Sequence, residues 1–368
     1  MFETRTFQAT VWLLLVLAVL WLGQQVSFVF RPVVVLITTI FLPFVLAGLL
    51  YYLTDPAVSA LQRLGLPRTA AIAIVYVLLG GLLLAAVLWL GPLLERQLST
   101  FVVNIPAILR QLDEYIHEFQ HSALFSRFTQ FEFFRRWSEI DYTVLVDTVL
   151  DTVAVNLLNV VGSIANIAIA LFTVPFLLFY LLRDGHKLPP LVAQAFPEEY
   201  RGRVVDLFHT VSETISSYVQ GLIVVCLFVG VSVYIGLRLI GLDYALLLAA
   251  VAMVTDVIPY LGPVLGTLPA LIVGLLVSPW TALQVLVVVI IVQQLESHLV
   301  SPLVLGKKLN IHPVTIIVIL LTAGSMAGIL GLVLGVPIFA VAKVLVTEVV
   351  KLVRDMRRGK VLNNSLKE

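Results

Sequence analysis

The chain reads as long apolar runs separated by short polar clusters, without the two-residue alternation of a half-buried strand. A helix that crosses a bilayer needs about 20 apolar residues at about 1.5 Å each. Six runs meet that requirement: residues 8–30, 32–53, 69–93, 156–182, 218–240 and 281–300. Two further runs are too long and too broken to be single spans. Residues 243–277 are interrupted by Ile258-Pro259-Tyr260-Leu261-Gly262-Pro263. Residues 311–350 are interrupted by Gly324-Ser325-Met326-Ala327-Gly328 and again by Gly335-Val336-Pro337.

One long stretch differs. Leu98, Phe101, Val102, Ile105, Ile108, Leu109, Leu112, Ile116 and Phe119 recur at helical spacing, with Arg110, Asp113, Glu114 and Glu118 on the other face. Tyr142, Leu145, Val149 and Val153 form a second stripe that runs into the fourth span. The pattern predicts an outer pair of helices packed on itself; a subunit contact or an entrance vestibule is the alternative.

Composition makes the membrane reading firm. The 368 residues are 60% hydrophobic and 12% charged, with a mean hydropathy of +1.05. Soluble domains are about 45–50% apolar and about 25% charged. A chain this apolar could not cover its surface in water, and the bilayer removes that difficulty. The apolar run after Thr10 has no small-residue cleavage site and is read as a first span, not a removed signal peptide. The formal net charge of +1 argues for no particular partner, and nothing points to nucleic acid. The single cysteine, Cys226, excludes a disulfide framework or a cysteine-based metal site within one chain.

The position of the charges sets the topology. Arg63 and Arg68 follow the second span; Arg183, Lys187, Arg201 and Arg203 follow the fourth; Lys307 and Lys308 follow residues 281–300; and Lys351, Arg354, Arg357, Arg358 and Lys360 close the chain. If all are cytoplasmic, both termini are inside a cell membrane and the net acidic stretch 95–151 is outside. Residues 243–277 must then start and finish outside, and residues 311–350 inside. Each is a hairpin, re-entrant or made of two short spans, and the two enter from opposite faces. Secondary transporters use inverted arrangements of this kind.

No G-x-x-x-x-G-K-[ST], H-E-x-x-H or G-x-S-x-G motif occurs, so neither an ATP-driven pump nor a soluble-type enzyme is expected, and no cofactor or metal is called for. The informative residues are polar groups at membrane depth, which are costly unless paired or hydrated. Asp256 precedes Pro259 and Pro263, and each proline frees a carbonyl one turn earlier. Freed carbonyls beside a carboxylate suit a cation; a helix cap at the hairpin tip is the equally weighted alternative. Gln293, Gln294, Glu296 and His298 cluster near the inner end of their span, where Glu296 could exchange a proton or simply anchor in the headgroup zone. Asn159, Ser163 and Asn166 share a face of the fourth span, more in the manner of interhelical hydrogen bonding than of a water path. Gly262, Gly266, Gly324, Gly328, Gly331 and Gly335 permit close approach or bending, and Trp12, Trp89 and Trp280 fit interface anchors.

Several motifs now fall in register. Ile258-Pro259-Tyr260-Leu261-Gly262-Pro263 is followed by Gly266, Pro269-Ala270 and Gln293-Gln294-Leu295-Glu296. Next come Ser301-Pro302-Leu303-Val304-Leu305-Gly306-Lys307, Leu309-Asn310-Ile311-His312-Pro313 and Gly328-Ile329-Leu330-Gly331, ahead of Gly335-Val336-Pro337. With Phe179-Tyr180-Leu181-Leu182-Arg183-Asp184-Gly185, this order resembles the autoinducer-2 exporter family over roughly residues 156–351. The N-terminal third is similar only in hydropathy and length. The resemblance implies a multi-pass transporter in a homo-oligomer, with a pentamer as the suggested assembly. It implies export of a furanosyl quorum signal in some members and sodium or lithium/proton antiport in others. After Glu296 this chain has Ser297-His298 where many relatives have Gly-Asn.

The expected fold is an all-α, polytopic membrane helix bundle with two broken or re-entrant hairpins and an outer helical hairpin. Residues 1–93 form a three-span region, 94–155 the outer amphipathic region, 156–350 a core holding the hairpins 243–277 and 311–350, and 351–368 a basic tail. Its expected partners are the lipid bilayer and a small polar solute, monovalent cation or proton. Asp256, Glu296, Gln293 and His298 are the candidate coupling residues. Pro259, Gly262, Pro263, Gly266, Gly328, Gly331, Gly335 and Pro337 are the candidate hinges. The alternative is a non-transporting membrane scaffold with an outer helical binding surface.

Overall fold

The computed structural model describes residues 27–120, 164–304 and 312–365, with Val11, Trp12 and Leu14 besides. Most of the first span, the stripe Tyr142–Val153, Asn159, Ser163, Lys307 and Lys308 lie outside the described residues. Every regular element among the described residues is helical: α1 (Ser27–Arg63), α2 (Arg68–Gln120), α3 (Ile164–Asp184), the short α4 (Leu188–Ala193), α5 (Glu198–Leu239), α6 (Ala245–Thr255), α7 (Leu261–Val277), α8 (Pro279–Leu295) and α9 (Pro313–Ser365). By length and composition, five stretches are able to cross a membrane: Thr39–Arg63, Arg68–Ile108, Glu198–Leu239, Pro279–Val304 and Pro313–Glu348. Val77, Leu82, Leu88 and Trp89 on α2 and Phe172 on α3 stand more than half exposed, a surface that only lipid would cover at low cost. The chain is a polytopic helical membrane bundle.

Two boundaries differ from the expectation. The break between residues 30 and 32 is absent, because α1 runs unbroken through Pro32, Pro43 and Pro56. A proline removes one helical hydrogen bond, whereas leaving the helix in lipid would strand several backbone groups. Likewise α2 continues through residue 93 to Gln120. Its 53 residues extend about 80 Å at about 1.5 Å each, far beyond a hydrocarbon core of about 30 Å. The polar cluster Glu95-Arg96-Gln97 consists of good helix formers, so it marks a change of solvent and not a change of backbone.

Two polar clasps hold the ends of the bundle. At one end, Arg68 donates to the Leu182 carbonyl (2.6 Å), to Gln62 Oε1 (3.1 Å) and to Asp55 Oδ1 (3.2 Å). One guanidinium thereby ties the start of α2 to α1 and to the end of α3, and Arg183 lies over the Phe179 and Tyr180 rings. The basic ends of α1, α2 and α3 therefore share one side, as the charge pattern requires. At the other end, Gln97 Oε1 accepts from the Leu247 N–H (2.9 Å) and caps α6. Nearby, Asn104 Nδ2 donates to the Tyr244 hydroxyl (2.8 Å) and Phe101 meets the Tyr244 ring edge-on. Ile105, on the predicted outer stripe, is buried against its own chain.

Both broken runs fold as hairpins. The 11 residues of α6 span about 16 Å at about 1.5 Å each, roughly half the thickness of a hydrocarbon core. The turn after it returns α7 to the same side, and Ser278 caps α8 by accepting from the Thr281 N–H (3.0 Å). In the second run the backbone leaves helical geometry at Ala327 (φ −133°, ψ 15°) and Gly328 (φ 58°, ψ −136°). Gly328 is in a region that side-chain-bearing residues rarely enter. The arms on either side pack face to face. A Cβ on Gly331 would collide with the Ala323 carbonyl, and one on Gly335 would lie 3.0 Å from Ala323 Cβ and 3.1 Å from Ile319 Cγ2. Residue 331 against 323 and residue 335 against 319 is the register of an antiparallel hairpin.

The centre of the bundle is α5. Its buried Val225, Val229, Val233 and Leu237 pack with Leu248 and Ala252 of α6, Ala270 and Val273 of α7, and Val285 and Val292 of α8. Lower on α5, Tyr218 and Val219 pack with Ile258 from the tip of the first hairpin and with Leu320 and Val336 from the two arms of the second.

Candidate functional site

The two hairpins meet beside α5. In the first, α6 ends on Asp256, whose N–H still bonds the Ala252 carbonyl (3.0 Å), and α7 restarts after Tyr260 at an unfavourable backbone angle (φ 63°). The turn can be this tight because Gly262 and Gly266 bring α7 against α6. A Cβ on Gly262 would lie 2.6 Å from Asp256 Cα, and one on Gly266 would lie 2.7 Å from Ala252 Cα. Asp256 is 7% exposed.

The carbonyls expected to be freed by the prolines are not free. The Thr255 carbonyl accepts from the Ile258 N–H (2.9 Å), and the Pro259 carbonyl accepts from the Leu261 N–H (2.8 Å). The turn recycles both, so Asp256 does not face a ring of bare carbonyls as the proline pattern suggested.

Glu296 sits where α8 loses its α-helical geometry. Residues Glu296–Val300 form a π turn, a form often found at functional positions. Ser301 Oγ donates to Glu296 Oε1, and Ser297 Oγ donates to Glu296 Oε2 (3.1 Å) and to the Gln293 carbonyl (2.7 Å). Glu296 is half-buried, whereas His298 is exposed, its Nδ1 3.1 Å from the Gln294 carbonyl. The structure brings Asp256 and Glu296 within electrostatic reach of each other, and both reach Cys226 on α5. It does not bring His298 into that group.

A cavity of about 350 Å³ takes in Cys226 and Val257, the neighbour of Asp256. It lies between Leu49 of α1, the Tyr218–Leu227 face of α5, Met253, Val254 and Val257 of the first hairpin, and Val333, Leu334 and Pro337 of the second. Cys226 and Tyr218 belong to its wall. Above Tyr218 on α5, Gln220 Nε2 donates to the Tyr52 carbonyl (2.9 Å) and to Ser216 Oγ (2.7 Å), locking α5 to α1. Sequence reasoning placed Tyr218 only as the first residue of a span. Its burial depends on three distant segments, and no local signal marks it.

A sequence profile described as AI-2E family transporter matches residues 10–351. The chain belongs to this family. YueF of Bacillus subtilis (strain 168), a protein named for transport, is 38% identical over 99% of both chains. YrrI of the same organism, also named for transport, is 32% identical over 90% of this chain and 93% of its own. PerM of Escherichia coli (strain K12), named as a permease, is 24% identical over 83% of this chain and 86% of its own. Membership extends through the N-terminal third, which resembled the family only in hydropathy. The chain is a membrane transporter by family, and its relatives' names specify no substrate.

Proposed function

We propose that this protein is a secondary transporter in which Asp256 and Glu296 couple movement of a small solute to a proton or monovalent cation. The observation that carries this reading is the placing of two carboxylates from different elements, within electrostatic reach of each other, at breaks in helical geometry near the contact between the two hairpins. Charged carboxylates within electrostatic reach repel, and a proton or a cation bound beside either relieves that repulsion. Rearrangement of either hairpin against α5 alters that relief, which is the coupling a secondary transporter requires. In the plasma or inner membrane, with both termini cytoplasmic, the hairpins open alternately to the two sides. A homo-oligomer, pentameric by resemblance, is the assembly in which this occurs.

Sodium or lithium/proton antiport accounts for the two acids most directly, and autoinducer-2 export is the second reading that the family suggests. Flux through purified protein in proteoliposomes tests both, with autoinducer-2, Na⁺ and Li⁺ offered under an imposed pH gradient. Glu296→Gln retains size and much of the hydrogen bonding but removes the exchangeable charge. It is expected to abolish the pH dependence of transport, and Asp256→Asn to weaken its cation dependence. Parent rates in both variants from pH 6 to about 9 would refute the coupling assignment.

A further inference from the structure

A second cavity, of about 210 Å³, lies between α5 and α9. Thr210 and Thr214 of α5 and Lys343, Thr347 and Glu348 of α9 give it a polar wall, and Ala340 and Val344 give it an apolar one. The two helices fix its depth. The apolar run of α5 starts at residue 218, one turn after Thr214, and the stretch of α9 able to cross a membrane ends at Glu348. The cavity therefore sits at a boundary between hydrocarbon and water, at the ends of α5 and α9 that carry Arg201, Arg203 and Lys351.

Its wall holds both signs of charge and a set of hydrogen-bond acceptors. Lys343 contributes an ammonium, and Glu348 a carboxylate that also pairs with Lys351 (2.6 Å). The threonine hydroxyls donate to carbonyls one turn back on their own helices: Thr210 to Asp206 (2.9 Å), Thr214 to Thr210 (2.7 Å) and Thr347 to Lys343 (2.7 Å). A hydroxyl has one proton and two lone pairs, so each of these commits its proton to the helix and keeps an acceptor for the cavity.

We propose that this cavity binds the headgroup of an ethanolamine phospholipid, with the phosphate against Lys343 and the ammonium against Glu348 and the threonine oxygens. Pockets between spanning helices on the basic side of a membrane protein are places where lipid headgroups dock. The bilayer supplies such a headgroup at this depth, and Leu345 and Val346, in the same turn of α9, are exposed apolar surface for its chains. A choline headgroup brings the phosphate but no N–H for the acceptors. A purely anionic headgroup satisfies Lys343 but sets its charge against Glu348. A soluble phosphate ester meets the same wall without the chains. Binding here is independent of the coupling role of Asp256 and Glu296.

The test counts bound lipid. The full chain in detergent is offered equal amounts of dioleoyl phosphatidylethanolamine and dioleoyl phosphatidylcholine, and retained lipid is measured by native mass spectrometry. The ethanolamine lipid is expected to be retained about three- to tenfold over the choline lipid, the range of one hydrogen bond. Replacing Thr210, Thr214 and Thr347 together by valine keeps the shape of the wall and is expected to remove most of that preference, with the choline lipid retained as before. An unchanged melting temperature shows that this variant folds. Lys343→Gln is expected to lower retention of both lipids together. Equal retention of the two lipids by the parent, which needs no variant, would overturn the ethanolamine assignment. A preference that survives the threonine replacements would overturn the cavity as its location. Retention of dioleoyl phosphatidylglycerol above the ethanolamine lipid would overturn the zwitterionic site in favour of an anionic one. Displacement of the lipid by an equal concentration of free phosphoethanolamine would overturn the lipid as its source.

Discussion

Replacing Gly331 by alanine tests whether the second broken run folds back on itself. In the structure the added methyl would collide with the Ala323 carbonyl and lie 3.2 Å from the Gly324 nitrogen. Both obstacles are backbone, so no side-chain rotation relieves the clash. Ordinary contact begins near 3.4 Å, so the arms must part by about 1 Å or more at the level of residues 323 and 331. Parting them loosens Leu320 and Val336, which hold Tyr218, Val219 and Ile258. Overpacking of this kind costs about 1–3 kcal/mol, and a backbone obstacle belongs at the upper end. At roughly 2–4 °C per kcal/mol for large domains, Gly331→Ala is expected to lower the melting temperature by about 5–10 °C in detergent or nanodiscs. Two controls separate the causes. Gly328→Ala meets nothing within 4 Å but keeps a φ of +58°, so its cost of about 1–3 kcal/mol is backbone strain alone. Gly202→Ala, on an open face of α5, should be neutral or stabilise by up to about 1 kcal/mol. If Gly331→Ala melts with the parent, the two arms do not touch and the hairpin is wrong.

Three further outcomes follow from the clasps and from the ion pairs of Asp184 with Arg183 and Lys187. Arg68→Ala removes three hydrogen bonds and leaves Asp55 without its cation, a loss of roughly 2–3 kcal/mol once partial exposure is allowed for. Arg68→Lys should recover only part of it, because an ammonium cannot fork to three acceptors; full recovery in thermal melts would refute the clasp. Gln97→Ala uncaps α6 at Leu247, at about 1 kcal/mol, and hydrogen exchange at residues 245–249 should quicken while α7 is unchanged. Hydrogen bonds from Lys187 and Arg183 hold the Asp184 carboxyl below its ordinary 3.8. The stabilisation is complete above 3.8 and is lost as pH falls from there through the lowered value of the folded state, so melts of parent and Asp184→Asn should differ at neutral pH, begin to approach below 3.8 and converge only in stronger acid.

What could be read from the sequence, and what could not, divides on physical lines. Charge at the ends of apolar runs is a boundary condition set by the bilayer. Arg63, Arg68 and Arg183 therefore predicted which helix ends share a side, and Arg68 proves to join them. The hairpins were legible because Pro259, Gly262, Gly328 and Gly331 punctuate runs too long for one span. Pro32 misled because local propensity is weak against the need to satisfy every backbone group in lipid, which keeps α1 helical. Glu95-Arg96-Gln97 misled in the opposite sense, since polarity there reports the solvent around α2 and says nothing of its continuity. Tyr218 was invisible because its burial is a property of the distant segments that pack around it.

The same constraint explains why the candidate site is where it is. A backbone in lipid stays helical unless protein covers the break. This chain departs from helical geometry at Asp256–Tyr260, at the π turn from Glu296 and at Ala327–Gly328. The first break is covered by α5 and the second hairpin through Ile258, and the third is held by the close-packed arms around Gly331. Covering a break costs a buried interface that a simple spanning helix would not need. A fold that packs two hairpins against one central helix therefore carries two such interfaces. Asp256 and Glu296 stand at two of the breaks, and the larger cavity takes its wall from α1, α5 and both hairpins, so the break at Asp256 lies in an element that shapes it.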